Sequence, residues 1–402
     1  MVPRQGHDPV IGLGVLVLSI WLFLMFGRGG FWRCRDRDDF DAPPAPSAWP
    51  RVVAVVPARD EAALIGESLG SLLAQDYPGD FRVVLVDDQS SDGTADKARE
   101  AAAVSPHSCR LAVLPGAPLP AGWTGKVWAM AQGESFARKN FSPDYLLFTD
   151  ADIFHAPGNL RAVTARAESD GYALVSLMAA WRCESAAEKW LIPAFTYFFQ
   201  LIYPFRWVSD PRRKIAAAAG NLMLARADLL EKAGGVAAIS DALIDDCAFG
   251  ALMKSVGPVW LGLTHRLRSL RAYPRFADIG RMVSRSAFAQ LRFSCALLAL
   301  TGLGLVLTFF VPVLLAFYAD GPAGLLGIAA YVLMSVSFAP IQRFYGLPRW
   351  RAATLPLIAA PYLLYTLESA WAYSRGRGGM WKGRAQAHLA RHARTEIETE
   401  RP

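Results

Sequence analysis

The 402-residue chain is long enough for one large domain or two ordinary ones, and with 53% hydrophobic residues and a mean hydropathy of +0.23 it is too apolar for an ordinary soluble enzyme. Its net charge of +7 does not point to nucleic acid: the basic residues form no fold-like cluster, and many sit beside apolar segments, at Arg28–Arg37, Arg343–Arg351 and Arg375–Arg394, where anionic lipid headgroups would meet them. The five cysteines (Cys34, Cys109, Cys183, Cys247, Cys295) are scattered without CxxC spacing, which argues against a zinc site and for reduced thiols in a cytosol-facing protein.

Val10–Phe26 is almost wholly apolar and reads as a bilayer-spanning helix, although shorter than the roughly 20 residues usually needed. A cleaved signal peptide is the rival, but only Arg4 precedes the run, whereas Arg28, Arg33, Arg35 and Arg37 follow it. That asymmetry places the chain after Gly27 in the cytoplasm. Asp41–Pro50 carries four prolines in ten residues and reads as a linker.

From Arg51 to about Pro274 the pattern alternates between strand and helix. Val52–Val56 is a β-branched run suited to a strand buried on both faces. Glu61–Ala74 has helical periodicity through Leu64, Leu69, Leu72 and Leu73. Strands are expected at Phe81–Val86, Leu111–Leu114 and Tyr145–Phe148. Helices are expected at Asp92–Val104, capped by Ser91 or Asp92, and at Lys126–Arg138. This alternation predicts a mostly parallel α/β sheet with helices on both faces, whose ligands bind outside the carboxyl ends of the strands. Trp190–Trp207 is aromatic and apolar, either a buried core helix or a helix in the membrane interface; its place between the acidic motifs favours the interface. After Arg292, spans are expected at Phe293–Tyr318, more weakly at Gly321–Ile341, and at Leu355–Tyr373, which Pro356, Pro361 and Glu368 weaken. Three such spans would put the basic tail outside, against the positive-inside rule, so one segment is expected to be re-entrant or interfacial.

Polar clusters recur at the strand ends. Pro57-Ala58-Arg59-Asp60-Glu61 follows the first strand; its acids alone could be the favourable acids of a first helical turn. Val86-Asp87-Asp88-Gln89-Ser90-Ser91-Asp92-Gly93-Thr94 follows the second. Adjacent carboxylates repel, and Asp88 there can accept the imide N–H of a uracil. Asp150-Ala151-Asp152 follows the fourth strand, where two carboxylates can share Mg2+ or Mn2+ on a substrate diphosphate. Gly125-Lys126 opens a helix, a place for phosphate. Ile244-Asp245-Asp246-Cys247 again pairs carboxylates beside apolar residues, and a desolvated acid with a like-charged neighbour has the raised pKa of a general base.

Taken together and in this order, with Gly220-Asn221-Leu222-Met223-Leu224-Ala225-Arg226, these motifs resemble the family 2 glycosyltransferases of GT-A fold over Val52 to about Arg285. The resemblance implies a Rossmann-like, mostly parallel cytoplasmic sheet domain with one N-terminal and two to three C-terminal transmembrane helices. The expected layout is an anchor and linker at 1–50, a glycosyltransferase domain at 51–285 (donor half 51–152, acceptor and catalytic half 153–285), a transmembrane region at 286–374 and a basic tail at 375–402. It implies an inverting, metal-dependent transferase with a nucleotide-sugar donor, UDP-linked. Pro57, Arg59, Glu61, Asp88, Lys126, Asp150 and Arg285 would bind donor, Asp150 and Asp152 the Mg2+ or Mn2+, and Asp246, or its neighbour Asp245, would be the base. The tryptophan of the Q-x-x-R-W motif is missing at Met282-Val283-Ser284-Arg285-Ser286, which speaks against processive polysaccharide synthesis. The chain is also similar, nearly end to end, to hopanoid-biosynthesis-associated glycosyltransferases, on Pro204-Phe205-Arg206-Trp207, Asp210-Pro211-Arg212-Arg213, Arg281–Arg285, Phe344-Tyr345-Gly346-Leu347 and Gly378-Gly379-Met380-Trp381-Lys382-Gly383-Arg384. That likeness implies a hopanoid or other lipid acceptor and a multi-pass protein of the inner membrane. A nucleotidyltransferase would want a glycine-rich phosphate loop, absent here, and a non-enzymatic membrane scaffold would bind no nucleotide.

Overall fold

The structure, a computed structural model, describes residues 9–385, and the expected basic tail lies outside the described residues from 386 onward. The described residues form two compact units that interleave in sequence: a helical unit of residues 9–35, Cys183–Pro204 and Tyr273–Ala372, and a sheet unit of Asp36–Arg182, Phe205–Ala272 and residues 373–385.

The sheet unit contains strands β1 (Val52–Ala58), β2 (Phe81–Asp87), β3 (Leu111–Pro115), β4 (Tyr145–Phe148), β5 (Ile153–His155), β6 (Leu174–Ala180), β7 (Met223–Arg226) and β8 (Val259–Ser269). They form one sheet in the order β3-β2-β1-β4-β7-β6-β8-β5. Pairing is parallel at β3–β2, β2–β1, β1–β4 and β6–β8, and antiparallel at β4–β7, β7–β6 and β8–β5. Every residue of β1 is buried, as its unbroken apolar run requires for a central strand covered on both faces. The helix Gly125–Phe141 lies close on this strand; a Cβ at Gly133 would meet Val55 Cγ1 at 2.3 Å, so only glycine permits the approach.

Two local expectations change. The helix after β1 begins at Ile65 rather than Glu61. The helix after β2 runs Thr94–Ala103 with Gly93 at its N-cap (φ 86°), not Ser91 or Asp92. Both differences have one cause: the polar residues bond across the two loops. Glu61 N–H donates to Thr94 Oγ1 (2.8 Å), Asp60 N–H to Ser90 Oγ (3.0 Å), Ala62 N–H to Asp92 Oδ2 (2.9 Å) and Ser91 N–H to Asp60 Oδ1 (2.9 Å).

In the helical unit, three helices are long and apolar enough to cross a membrane: Pro9–Gly27, Cys295–Tyr318 and Gly321–Phe344. The third expected C-terminal span is the helix Leu355–Ser374, which is not among them, so two C-terminal candidates remain among the described residues. Its prolines, Thr366, Glu368 and Ser369 dilute its apolarity, and its Tyr362 hydroxyl donates to Leu191 O (2.8 Å). The aromatic segment forms a helix over Ala186–Ile202 and is packed, not laid open. Leu191, Ile192, Ala194, Thr196, Tyr197 and Gln200 are buried, and the Tyr197 and Ser337 hydroxyls lie 2.7 Å apart. This face packs as a buried core helix would, with polar partners on neighbouring helices, while Phe195, Phe198 and Phe199 are half-buried and Ile202 is exposed. A π-helical turn at Val306–Phe310 breaks the second apolar helix, and the Trp21 indole donates to Thr308 O inside it (2.8 Å).

The helix Asp245–Lys254 rests on a glycine. A Cβ at Gly250 would meet the Ala217 carbonyl carbon at 2.4 Å and Ala218 N at 2.7 Å, both backbone atoms that cannot swing aside. Gly250→Ala is expected to destabilise the sheet unit by about 1–3 kcal/mol through overpacking. Thermal denaturation in detergent checks this, and an unchanged midpoint would show that the backbone gives way freely.

Candidate active site

The site in the sheet unit is built where β1, β2 and β4 end. A run of apolar residues keeps each strand buried until the first polar residue, so the carboxylates appear together at one edge of the sheet.

Lys126, in the first turn of the helix Gly125–Phe141, is the hub. Its Nζ lies 2.8 Å from Asp150 Oδ1 and 2.8 Å from Asp245 Oδ2. The lysine therefore joins the end of β4 to the first turn of Asp245–Lys254. Burial works against its charge, but the two carboxylates outweigh this and hold the ammonium protonated well above the ordinary lysine range. Burial also raises Asp150, and Asp152 and Asp245 add to the rise against the pull of Lys126, because three carboxylates crowd one ammonium.

A second row of alternating charge runs beside it. Arg271 Nε lies 2.7 Å from Asp152 Oδ2, and Arg271 Nη2 lies 2.6 Å from Glu61 Oε1. Lys382 Nζ reaches the same Glu61 oxygen at 2.7 Å and the Asp60 carbonyl at 2.9 Å. Neither Arg271 nor Lys382 was singled out for a role in the sequence. Arg271 is one arginine among many and carried no local signal. Lys382 stood in a glycine-rich turn motif, but only folding sets it beside Glu61.

Asp245 and Asp246 have different surroundings. Asp245 is ion-paired with Lys126. Asp246 makes no ion pair among the described residues; its Oδ1 accepts the Cys247 N–H (2.7 Å) and its Oδ2 the Gly220 N–H (3.3 Å). Burial and then the Asp245 charge push the Asp246 carboxyl up to about 6. A carboxylate with that pKa is poised to take a proton near neutrality.

Arg59 donates through Nη1 to the Asp88 carbonyl (2.5 Å), and the same nitrogen lies 3.6 Å from Asp88 Oδ2. The Asp88 side chain is wholly enclosed, whereas Arg59 keeps 17% of its side chain exposed. Pro57 is buried within β1. Asp60 and Gln89 hold left-handed backbone at φ 50° and 54°, which is uncommon for non-glycine residues and costs of order 1–3 kcal/mol each. Arg285 belongs to the helical unit, at the C-terminal end of the helix Phe276–Ser284. Asn221 is structural: its carbonyl accepts Thr149 Oγ1 (2.7 Å) and its Oδ1 accepts the Ala179 N–H (3.2 Å).

The donor set at Asp150 and Asp152 is right for a hard divalent cation, which prefers carboxylate oxygen. A notch beside them is kept open by Gly220, where a Cβ would sit 3.3 Å from Asp150 Oδ2 and 3.1 Å from Lys126 Nζ. Among the described residues no group of three or more His, Cys, Asp or Glu side chains converges on a common point. Lys126 and Arg271 stand between the acids instead. Asp150 and Asp152 offer the oxygen donors that a divalent cation takes, but here they are paired with Lys126 and Arg271.

Replacing Lys126 by methionine leaves Asp150 and Asp245 without their shared cation. Lys126→Met is expected to cost about 2 kcal/mol at neutral pH, the scale of hydrogen bonds to charged groups. The lysine contribution is complete there, since its raised pKa lies above the working range, and it fades on acidification as Asp150, itself raised, takes up a proton. Melting curves at pH 8 and pH 4 check the sign: a deficit that grows at low pH would contradict it.

Residues 53–233 match the sequence model of Glycosyl transferase family 2. No curated protein matches the chain by sequence. Among solved structures, the chain is similar to a mannosyltransferase from Pyrobaculum calidifontis in complex with GDP-Man and Mn2+, at 18% identity and a TM-score of 0.52, over 90% of this chain and 99% of that one. Mannosyl-3-phosphoglycerate synthase from Rubrobacter xylanophilus aligns at 18% identity over 60% of this chain and 74% of that one, with a TM-score of 0.35, too low to add to the comparison. The sheet unit thus has a GT-A glycosyltransferase fold, and the stretch 53–233 carries the sequence pattern of glycosyl transferase family 2.

Proposed function

We propose that the protein is an inverting glycosyltransferase that moves a sugar from a nucleotide sugar, UDP-linked, to a membrane-lipid acceptor. The observation that carries the reading is the division of labour within the Asp245–Asp246 pair. One acid is ion-paired with Lys126, and the other, raised to about 6, accepts two backbone N–H groups and makes no ion pair among the described residues. In the proposed reaction Asp246 takes the proton of the acceptor hydroxyl. The oxygen attacks the anomeric carbon from the face opposite the diphosphate, and the configuration inverts. Asp245 and Lys126 fix the geometry of the first turn of that helix. Asp88 and Arg59 form the base end of the donor site, together with Pro57 and Glu61, and Arg285 is a further donor-binding candidate. A Mg2+ or Mn2+ held by Asp150 and Asp152 would neutralise charge on the leaving diphosphate.

Three helices of membrane-crossing length and composition support a lipid acceptor, a multi-pass protein of the inner membrane and, from the arginines after the first of them, a sheet unit facing the cytoplasm. The likeness to hopanoid-associated transferases supports a hopanoid acceptor within that class.

Asp246→Asn is expected to bind nucleoside diphosphate normally and to lose roughly 10²–10⁴-fold in turnover, the usual contribution of a general base. Asp245→Asn should retain more activity. Turnover of the wild type should rise with pH through about 6, because the carboxylate, not the acid, accepts the proton. Transfer of labelled sugar from a nucleotide donor into extracted membrane lipid reads all three, and the opposite ranking would reassign the base to Asp245. Asp152→Ala should remove the Mn2+ dependence of donor binding while the protein stays folded; calorimetric titration with and without Mn2+ checks this, and an unchanged dependence would take Asp152 out of the metal site.

A further inference from the structure

Between the short helix Phe205–Ser209 and β7 the sheet unit has a stretch without regular structure, on which Pro211, Arg212, Arg213 and Lys214 stand exposed. Three of these are consecutive cations, and Arg212 shows 88% of its side chain to solvent. Asp210 is the one acid between Phe205 and Ala219, and Arg212 takes it at 3.0 Å. Arg213 lies over the half-buried Trp207 ring, 4.7 Å from its centroid. Lys214 makes no ion pair among the described residues.

A run of exposed cations is ordinarily a solvated face. What sets this one apart is how its backbone is held. Lys254, the last residue of the helix Asp245–Lys254, donates from Nζ to four carbonyls of the same stretch: Val208 (2.5 Å), Ile215 (2.8 Å), Asp210 (3.1 Å) and Trp207 (3.4 Å). An ammonium has three protons, so the four oxygens share them. These carbonyls lie on both sides of Arg212–Lys214 in the chain. The backbone therefore closes around Lys254 and leaves the side chains of 211–214 outside. Burial pulls the Lys254 ammonium below the ordinary lysine range, against the Asp210 charge. The fold thus desolvates one cation and presents three others from a fixed loop. Conformational freedom that the loop has already given up is not lost again on binding.

Cations this open suit a broad anionic surface, since an enclosed phosphate pocket would bury them. The chain has three helices of membrane-crossing length and composition, so the broad anionic surface it would meet is the headgroup layer of a bilayer. A tryptophan stacked by arginine is also at home at the membrane–water interface. We propose that Arg212, Arg213 and Lys214 form a docking loop for the anionic headgroups of the bilayer, held in shape by Lys254. This rests on the membrane reading above and is independent of the glycosyltransferase chemistry.

The test places the full-length protein in nanodiscs of phosphatidylcholine with a minority of phosphatidylglycerol. A trace of either lipid carries a photoactivatable diazirine on its headgroup, and mass spectrometry maps the labelled peptides. The segment 205–216 of the wild type is expected to take at least about fivefold more label from phosphatidylglycerol than from phosphatidylcholine, the preference that one cation near an anionic surface gives. Combining Arg212→Gln, Arg213→Gln and Lys214→Gln should bring the ratio close to one, and so should high salt. A wild-type ratio close to one, or a ratio that the combined variant keeps, would overturn the proposal. So would loss of the ratio in inorganic phosphate but not in sodium chloride of equal ionic strength, since that marks a site for free phosphate. The combined variant should bind UDP or GDP with Mn2+ as the wild type does; weaker binding would move the loop to the donor site and overturn the docking role. A wild type that does not enter nanodiscs would overturn the membrane reading, and this proposal with it, while leaving nucleotide binding to be judged separately.

Discussion

Lys126 Nζ stands 2.8 Å from each of two carboxylates that lie far apart in the sequence, Asp150 and Asp245. The arrangement of the site depends on that contact. A fold that gathers acids at the ends of buried strands must offset their repulsion in a region where water screens little. The solution is alternation. Asp150, Lys126 and Asp245 form one row, and Asp152, Arg271, Glu61 and Lys382 form another. Each cation bridges two acidic partners or an acid and a carbonyl, so removing one disturbs more than one carboxylate. Such an arrangement is costly to assemble merely for stability, because partly buried ion pairs lose much of their attraction to desolvation.

The polar residues after β1 and β2 hold the rim of this site. Ser90, Ser91, Asp92 and Thr94 bond mainly to the backbone around Asp60 and Glu61. These bonds fix two strand ends that the parallel ladder itself no longer holds, and they stabilise the left-handed backbone at Asp60. The glycines act in the complementary way. Gly250 lets the Asp245–Asp246 helix sit directly on the backbone at Ala217–Ala218, and Gly220 keeps a notch beside Asp150 free of side chain. Positioning of the acids is thus a matter of backbone contact, which is stiffer than contact between side chains.

The helical unit follows a different economy of polar groups. Its apolar helices leave few places for hydrogen bonds, and those few are paired internally: Tyr197 with Ser337, Thr196 with Tyr345, Tyr362 with the Leu191 carbonyl, and Trp21 with a carbonyl in a π-helical turn. Pairing of this kind is what an apolar surround requires, since an unmade hydrogen bond there has no water to replace it.

What the sequence determined by itself was everything encoded locally. The unbroken apolar runs of β1, β2 and β4 announced buried strands, their alternation with stretches of helical periodicity announced the mostly parallel sheet, and the carboxylates stood at the ends of those runs. Hydropathy likewise marked the three longest apolar helices. What only the tertiary structure decided was pairing across long separations. Which acid of Asp245 and Asp246 is neutralised depends on a lysine more than a hundred residues earlier; Arg271 and Lys382 reach Glu61 from distant segments; Ser91 bonds to a neighbouring loop, and Asp92 bonds both to that loop and to Thr94 of its own helix. Periodicity and strand-end position are properties of consecutive residues, and a sequence displays them. The partner of a charge is set by which loops the sheet order brings side by side, and no run of neighbouring residues contains that order.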